Sequence, residues 1–270
     1  MKTTFAALLF LGLGIASPAV ACGPDSNCQI GDRHYRIAMP EGHDGTTPVG
    51  AVVWSHGYRG TAAGAMRNGN MRRMISDMGL AFIAAKSDEN GWNIPYAPRR
   101  MNSTGAEEFS YFSQVIEDAA TRFPIDRARL VATGFSAGGM MVWNLACGQP
   151  QLFSGFVPIS GTFWMRPPET CRQPVSSIVH IHGDDDSTVP LLGRPIGPTK
   201  QGEVPAALEM YNNFGSFGPA VPRVTDTLNC ETRKNDGGEI LELCLFNGGH
   251  SFKTEHLRYG LKQLQEAGKL

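Results

Sequence analysis

One serine of this chain lies in a context that can turn a side-chain hydroxyl into a nucleophile. Segment 134–139, with the sequence GFSAGG, follows a short apolar run and opens a stretch of helical pattern. A G-x-S-x-G segment between a strand and a helix exposes its serine at a tight turn, and its glycines keep the turn free of side chains. We predict that Ser136 attacks a carbonyl carbon in acyl transfer. The alternative is a serine that only caps the helix after a glycine-rich turn.

The base predicted for Ser136 is His250. A base is needed because a serine hydroxyl is a weak nucleophile until its proton is removed. His250 lies in segment 246–252, FNGGHSF, between the last predicted strand and the last predicted helix, and two glycines let this loop carry the imidazole back over the serine. His256 is the alternative, but it falls inside the final predicted helix, where a rigid element limits its reach.

The acid that orients the histidine is expected between the serine and the histidine, because a G-x-S-x-G nucleophile is followed by its acid and then its histidine. Segment 182–190, HGDDDSTVP, follows a predicted strand directly. Its adjacent aspartates, Asp184, Asp185 and Asp186, leave the choice open on chemistry alone. The wider pattern H-G-x-x-D-x-x-V-P selects Asp186 as the acid.

Two backbone N–H groups must stabilise the charge that develops on the attacked carbonyl oxygen. One is predicted from Ala137, the residue after the nucleophile. The other is predicted from segment 54–60, WSHGYRG, with Tyr58 as the donor and its ring at the border of the acyl site. His56 in the same segment is expected to hydrogen-bond within the protein rather than serve as a second base.

The elements that must position these residues alternate along the chain. Apolar runs bounded by turn residues predict strands buried on both faces at 49–54, 80–85, 130–134 and 177–182. Helical spacing predicts helices at 107–123, 136–147 and 251–267. Strands that alternate with helices predict an α/β fold with a mostly parallel central sheet and helices on both faces. The Pro- and Gly-rich stretch 190–205 is predicted to be a surface loop near the acid.

Composition limits the classes of function. The 270 residues are 41% hydrophobic and 18% charged, which allows a large core and argues against disorder. Lys and Arg number 24 against 25 Asp and Glu, and no basic stripe is present, so a nucleic-acid partner is not expected. A monomer that acts on a neutral or small anionic substrate fits this balance.

The first residues carry the pattern of an export signal. Lys2 precedes an apolar run at 5–15, and the small-x-small sequence AVA follows at 19–21. The apolar run is too short to span a membrane. We predict a signal peptide at 1–21, one catalytic domain at 22–270, and a secreted or periplasmic protein. Lipid attachment at Cys22 is the less favoured alternative, because it would leave an odd number of the six cysteines.

The cysteines predict three disulfides, as is usual for an exported chain. Cys230 and Cys244 lie symmetrically about the turn sequence NDGG, as two facing residues of a β-hairpin should. Proximity along the chain then pairs the rest, Cys22 with Cys28 and Cys147 with Cys171. The sequence has no C-x-x-C spacing, so a metal site at the cysteines is not predicted.

Together these segments resemble the secreted polyhydroxybutyrate depolymerase and feruloyl esterase group, a carbohydrate-esterase-like branch of the α/β-hydrolases. In the group's order, the matching segments are 56–57, 92–93, 125–127, 134–139, 145–147, 153–155, 158–161, 182–190 and 248–250. The resemblance implies the α/β-hydrolase fold and hydrolysis of carboxylic esters through an acyl-enzyme on Ser136, Asp186 and His250. It implies no metal and no organic cofactor.

The resemblance also suggests the substrate, which is a polyester oligomer such as a polyhydroxyalkanoate or a feruloyl-type ester. The chain departs from the group at Tyr58, where a cysteine is frequent, and at residues 251–252, where Trp-Pro is frequent. Tyr58, Trp164 and Trp92 are candidate substrate-binding aromatics, with core packing as the alternative for the two tryptophans. A peptidase or acyltransferase of the same fold, or a binding protein that uses the fold without catalysis, are the competing functions.

Overall fold

The structure is a computed structural model that describes residues 22–225 and 227–270. The predicted signal peptide, residues 1–21, lies outside the described residues. The strands are β1 (Cys28–Ile30), β2 (Arg33–Ala38), β3 (Val49–Ser55), β4 (Ala81–Ala85), β5 (Ile125–Phe135), β6 (Gly155–Ile159), β7 (Ser177–Gly183), β8 (Arg194–Ile196), β9 (Thr199–Gln201), β10 (Val221–Val224), β11 (Asn229–Lys234) and β12 (Ile240–Phe246). The α-helices are α1 (Ala62–Arg67), α2 (Gly69–Asp77), α3 (Ala106–Arg122), α4 (Ala137–Gly148), α5 (Val204–Gly215) and α6 (Thr254–Glu266).

Ten of the strands form one twisted sheet in the order β1-β2-β4-β3-β5-β6-β7-β12-β11-β10. The strands from β4 to β12 in this order are parallel to their neighbours, and antiparallel pairs extend the sheet at both edges. The central strands β4, β6 and β7 are buried along their whole length, as continuous apolar runs in a parallel sheet should be. The mostly parallel sheet of the sequence prediction is confirmed.

Helices cover both faces of this sheet, as predicted. On one face α3, α4 and α5 contribute to a core that includes Phe112, Trp143 and Tyr211. On the other face α1, α2 and α6 contribute to a second core that includes Met74 and Leu261. The carboxyl ends of the parallel strands therefore meet at one edge, between two layers of helices, where loops can converge.

The stretch 190–205 is more regular than the predicted surface loop. It holds the two-stranded sheet β8-β9 and the beginning of α5. Ile196 faces Thr199 across a two-residue turn, and Gly197 adopts a φ of 55° there, a conformation that glycine takes without steric cost. The prediction failed because a high Pro and Gly content is common to loops and to short hairpins.

All three predicted disulfides are present, between Cys22 and Cys28, Cys147 and Cys171, and Cys230 and Cys244. Cys230 faces Cys244 directly in the β11-β12 ladder, as the hairpin symmetry indicated. Glu242 lies beside these two sulfurs, but the sulfurs are bonded to each other and so are not available as metal ligands. Among the described residues, no helix is both long and apolar enough to cross a membrane.

The hairpin disulfide gives a first prediction. The double variant Cys230→Ser with Cys244→Ser should lose about 2–4 kcal/mol of free energy of unfolding, because the cross-link limits the freedom of the unfolded chain. Urea denaturation of the oxidised wild type and the variant measures the difference. Wild type in reductant serves as the matched control and should lose at least as much. Equal midpoints for all three samples would contradict the prediction.

Candidate active site

Ser136 occupies the turn between β5, which ends at Phe135, and α4, which begins at Ala137. Its φ is 59°, a value that residues other than glycine adopt rarely and that marks a strained turn. Neighbouring segments of the backbone leave no room for side chains at the glycines of this turn. A Cβ on Gly138 would lie 1.8 Å from the Ser55 carbonyl oxygen, so only glycine allows α4 to approach β3 this closely.

His250 reaches Ser136 from the loop between β12 and α6. Its Nε2 lies 2.9 Å from the Ser136 Oγ, and its ring packs 4.6 Å from the Phe135 ring. Gly248 has a φ of 150° in this loop, which a residue with a side chain would rarely adopt. His256, the alternative base, is buried on α6 and packs against Phe246.

Asp186 lies in the loop after β7 and contacts the other ring nitrogen of His250. Its Oδ2 is 2.7 Å from His250 Nδ1, while its Oδ1 accepts hydrogen bonds from the Thr188 and Val189 N–H groups at 2.9 and 2.8 Å. Of the three aspartates, Asp186 is the buried one. Asp184 instead accepts a hydrogen bond from the Gly248 N–H and thereby ties the acid loop to the histidine loop.

The surroundings of Asp186 keep it ionised. Burial alone would raise the pKa of its carboxyl. A close contact with His182 and hydrogen bonds from the Val189 N–H and His250 outweigh burial and hold that pKa well below its ordinary value. An ionised Asp186 accepts the Nδ1 proton of His250, so that Nε2 is left as the acceptor for the Ser136 hydroxyl.

The predicted oxyanion donors lie beside the serine. An added Cβ on Gly57, the residue before Tyr58, would be 3.6 Å from the Ser136 Cβ. Ala137 is the first residue of α4, whose N-terminus favours negative charge. Within residues 22–225 and 227–270, neither N–H group donates to a protein acceptor. Their role toward an oxyanion stays a prediction.

His56 holds the loop that carries Tyr58. The ring is 3% exposed, its Nδ1 lies 2.7 Å from the Gly57 carbonyl oxygen, and its Nε2 accepts the Ser87 N–H at 3.1 Å. Burial, assisted by the charge of Lys86, lowers the pKa of His56 to about 4. A neutral ring fits both hydrogen bonds, with the proton on Nδ1. His56 therefore hydrogen-bonds within the protein, as predicted.

A cleft of about 450 Å³ opens beside Ser136, and Tyr58, Trp92 and Trp164 all line it. Tyr58 is 54% exposed, and Trp164 is half-buried. Trp92 is 5% exposed, and its indole N–H donates to the His56 carbonyl oxygen at 2.9 Å. Trp92 thus belongs to the core and also forms part of the cleft wall, and its role toward a substrate stays a prediction.

Arg194 is a cleft residue that the sequence did not reveal. Its Nε donates to the Thr188 carbonyl oxygen at 2.9 Å and to Gln201 Oε1 at 3.2 Å. No carboxylate of the described residues lies within ion-pair distance, whereas Arg99 and Arg100 of the same cleft pair with acids. Arg194 belongs to β8, inside the stretch predicted as a loop, so no periodicity pointed to it.

Two buried histidines near the acid were also missed. His180 and His182 lie on β7 with no exposed surface. The only sequence signal was a pair of polar residues, two positions apart, in an otherwise apolar strand. Alternate residues of a strand point to the same face, so this spacing placed both rings on one side of β7.

Several proteins with related sequences carry the names of esterases. Residues 97–195 match the family model described as Phospholipase/Carboxylesterase. A probable feruloyl esterase C of Aspergillus niger is 26% identical over 170 residues, which make up 61% of this chain and 59% of that protein. The putative esterase NocK of Nocardia uniformis subsp. tsuyamanensis is 26% identical over 173 residues, 62% of this chain and 48% of that protein. The match therefore spans about half to three fifths of these relatives' length.

Solved structures share the fold at lower identity. An acetyl xylan esterase from Aspergillus awamori superposes with a TM-score of 0.64 at 15% identity, over 93% of this chain and 97% of that one. An S-formylglutathione hydrolase from Agrobacterium tumefaciens gives 0.60 at 16% identity, over 90% and 94%. These matches confirm the predicted α/β-hydrolase fold. The sequence relatives confirm the resemblance to the feruloyl esterase group, and the polyhydroxybutyrate depolymerase part of that resemblance gains no specific support from them.

The buried histidines of the site give a prediction for stability against pH. The pKa values of His56 and His180 are lowered, so the folded protein stays neutral at these rings while the unfolded chain takes up protons below its ordinary pKa of about 6.5. Because the unfolded state binds more protons, the free energy of unfolding should decrease as the pH is lowered. For His56 the loss is about 2 kcal/mol between pH 7 and pH 5.

Urea denaturation at both pH values measures this loss. His56→Gln is the matched variant, because glutamine offers one donor and one acceptor but does not titrate. It should lose less stability than the wild type over the same interval. A loss of the same size in both proteins would contradict the assignment of a neutral, buried His56.

Proposed function

We propose that this chain, which has the α/β-hydrolase fold, is a serine esterase that hydrolyses carboxylic esters with aromatic, feruloyl-type acyl groups. The observation that carries the proposal is one continuous set of contacts. Ser136 Oγ lies 2.9 Å from His250 Nε2, and His250 Nδ1 lies 2.7 Å from Asp186 Oδ2, at the wall of an apolar cleft. A binding protein would have no need of all three groups in this order.

Acylation follows from these contacts. Ser136 Oγ forms a bond to the ester carbonyl carbon as its proton passes to His250 Nε2. The N–H groups of Tyr58 and Ala137 hold the oxyanion of the tetrahedral intermediate. Ionised Asp186 stabilises the imidazolium that has formed. The carbon–oxygen bond to the leaving alcohol then breaks, and the imidazolium proton passes to the alcohol oxygen.

In deacylation, water attacks the acyl-enzyme, and His250 again acts first as the base and then as the acid. His250 takes a proton from water as the water oxygen attacks the acyl carbon. The second tetrahedral intermediate collapses with cleavage of the bond to Ser136 Oγ, and the proton returns to that oxygen. The products are a carboxylic acid and an alcohol, and the protein is unchanged. A peptidase or an acyltransferase would share the first step, so the acceptor and the leaving group decide between them.

Aromatic acyl groups are proposed because of the cleft and the relatives. Tyr58 and Trp164 are aromatic residues of the cleft wall, and Ile94, Met140 and Ile196 add apolar residues to it. Six of the relatives carry the printed name feruloyl esterase C, five of them as probable. Nothing comparable favours a polyester substrate.

The first test of the function compares substrates. Wild type and Ser136→Ala are assayed with methyl ferulate, a short p-nitrophenyl acyl ester and an amorphous polyhydroxybutyrate film. We expect wild type to hydrolyse methyl ferulate and to leave the film uncleared. The alanine variant should lose about 10⁴-fold or more in kcat, because the acyl-enzyme can no longer form.

Each outcome of the comparison has a meaning. Activity on the short ester alone would support the serine mechanism and overturn the aromatic acyl group. Film clearing would replace the aromatic substrate with a polyester. Full activity of Ser136→Ala would overturn the mechanism itself.

Arg194 predicts a specific preference within aromatic esters. Its terminal nitrogens have no partner among the described residues, so they are available to a polar ring substituent. Arg194→Gln should lower kcat/KM for methyl ferulate by about 10-fold or more, the size of a hydrogen bond to a charged group. The value for methyl cinnamate, which lacks ring oxygens, should change little.

Arg100→Gln is the control for this prediction, since Arg100 lies in the same cleft and is already paired with Asp88 at 2.9 Å and Glu107 at 3.4 Å. It should leave the ratio of the two substrates unchanged. Equal losses of kcat/KM on methyl ferulate and methyl cinnamate in Arg194→Gln would show that the guanidinium does not bind the polar ring substituents.

We also propose that the protein is exported and that residues 22–270 form its mature catalytic domain. Three disulfides are usual in oxidising compartments and rare in the cytosol. The Cys22 sulfur is bonded to Cys28, which leaves it unavailable for a lipid thioether.

A further inference from the structure

Strand β7 carries two histidines that the proposed mechanism does not use. His180 and His182 have no exposed surface, and their rings stack with centroids 5.2 Å apart. The residues that face them on the neighbouring strand β12 are Leu243 and Leu245, which offer no polar group. Two buried imidazoles are costly unless their nitrogens are satisfied, so their partners indicate why they are there.

The partners form one chain of hydrogen bonds. The Trp143 Nε1–H, on α4, donates to His180 Nδ1 at 3.1 Å. His180 Nε2 lies 3.0 Å from His182 Nδ1, and His182 Nε2 lies 2.8 Å from the Val189 carbonyl oxygen. The chain thus runs from the helix behind the nucleophile to the loop that carries the acid.

Only one arrangement of protons satisfies this chain. The indole N–H can only donate, so His180 Nδ1 must accept and its proton must lie on Nε2. That proton is donated to His182 Nδ1, so the proton of His182 also lies on Nε2, where the Val189 carbonyl accepts it. The donor at one end and the acceptor at the other require the same direction throughout.

Both rings must therefore be neutral. A proton added to His180 would point its Nδ1–H at the Trp143 N–H, and a proton added to His182 would point at the His180 N–H. Burial, and secondarily the neighbouring His182, lowers the pKa of His180 well below its ordinary value, in agreement with this geometry.

The chain ends on the acid in two ways. The Val189 peptide that accepts the His182 N–H also donates its own N–H to Asp186 Oδ1 at 2.8 Å. His182 Nε2 itself lies 3.4 Å from Asp186 Oδ2, the oxygen that contacts His250. The N–H dipoles of the chain point toward this carboxylate, so they stabilise its charge as well as its place.

We propose that Trp143, His180 and His182 are positioning residues, which fix the Val189 peptide and Asp186 Oδ2 opposite His250. Water in place of this chain would let the acid loop and the carboxylate rotate, and a displacement of about 1 Å in a catalytic group can cost about 10²-fold in rate. The proposal rests on the proposed function for its kinetic consequence. Its proton arrangement can be tested without any substrate.

The first experiment is ¹⁵N NMR of the wild-type protein labelled at histidine, from pH 5 to pH 9. His180 and His182, assigned with His180→Gln and His182→Gln, should both show the Nε2–H tautomer, and His180 should show no titration step. A Nδ1–H tautomer at either ring, or a titration step at His180, would contradict the proposed hydrogen-bond chain. This result does not depend on whether the protein is an esterase.

The second experiment compares His182→Leu with His182→Gln. Leucine removes both nitrogens, whereas glutamine keeps one acceptor and one donor. In His182→Leu, kcat on methyl ferulate should fall by about 10- to 100-fold, with KM within about twofold of wild type. The low-field proton resonance of His250 Nδ1–H should shift or broaden. His182→Gln should recover most of the activity and the resonance.

Circular dichroism confirms that each variant is folded before it is assayed. Wild-type kcat together with an unchanged His250 resonance in folded His182→Leu would overturn the positioning role. An equal loss in the leucine and glutamine variants would do so as well, because it would indicate a packing effect alone. If His182→Leu fails to fold, the glutamine variant and the wild-type tautomers still decide the proposal. If wild type shows the predicted tautomers and resonance but no esterase activity, the result would count against the proposed function and not against the hydrogen-bond chain.

Discussion

The structure depends on the close approach of α4 to the ends of the central strands. Ser136 can stand at a φ of 59° between β5 and α4 only because Gly134, Gly138 and Gly139 have no side chains. A Cβ at any of these three would come within 1.8–2.6 Å of backbone atoms in neighbouring segments of the same chain. The same contact brings the helix N-terminus over the sheet edge, where the loops after β3, β7 and β12 end. Geometry that is costly for the backbone therefore brings together all the groups of the site.

Electrostatics then determines the state of each group. Asp186 is buried, yet its contacts hold its pKa low, so a full negative charge faces His250 in a place with little water. His56 and His180 are buried without an acid partner and are neutral by the same reasoning. Among the described residues of the site, Asp186 is a buried anion opposite His250, the imidazole that contacts Ser136, and general-base chemistry needs this pairing. The neutral rings of His56 and His180 only donate or accept hydrogen bonds. Because their pKa values are lowered, these hydrogen bonds persist in the folded protein at mildly acidic pH.

Much of this could be predicted from the sequence, because the signals were local. The strands were continuous apolar runs, the turn at Ser136 needed glycine, and the hairpin cysteines were symmetric about their turn. The remaining features depend on which strands are neighbours. Arg194 reaches the cleft only because β8 and β9 fold back beside Thr188, and His180 meets Trp143 across 37 residues of sequence. Spacing along the chain carries no record of such contacts. The roles of Ser136, Asp186 and His250 in catalysis are still predictions, although the structure brings the three side chains into contact.

Covalent labelling of the intact protein with a fluorophosphonate, followed by mass spectrometry of its peptides, tests directly whether Ser136 is an activated nucleophile. A serine activated by a neighbouring imidazole reacts with this probe, whereas an ordinary surface serine does not. We expect a single adduct on Ser136, its loss in Ser136→Ala, and much slower labelling in His250→Gln. An unlabelled wild-type protein, or an adduct on a different residue, would contradict this expectation.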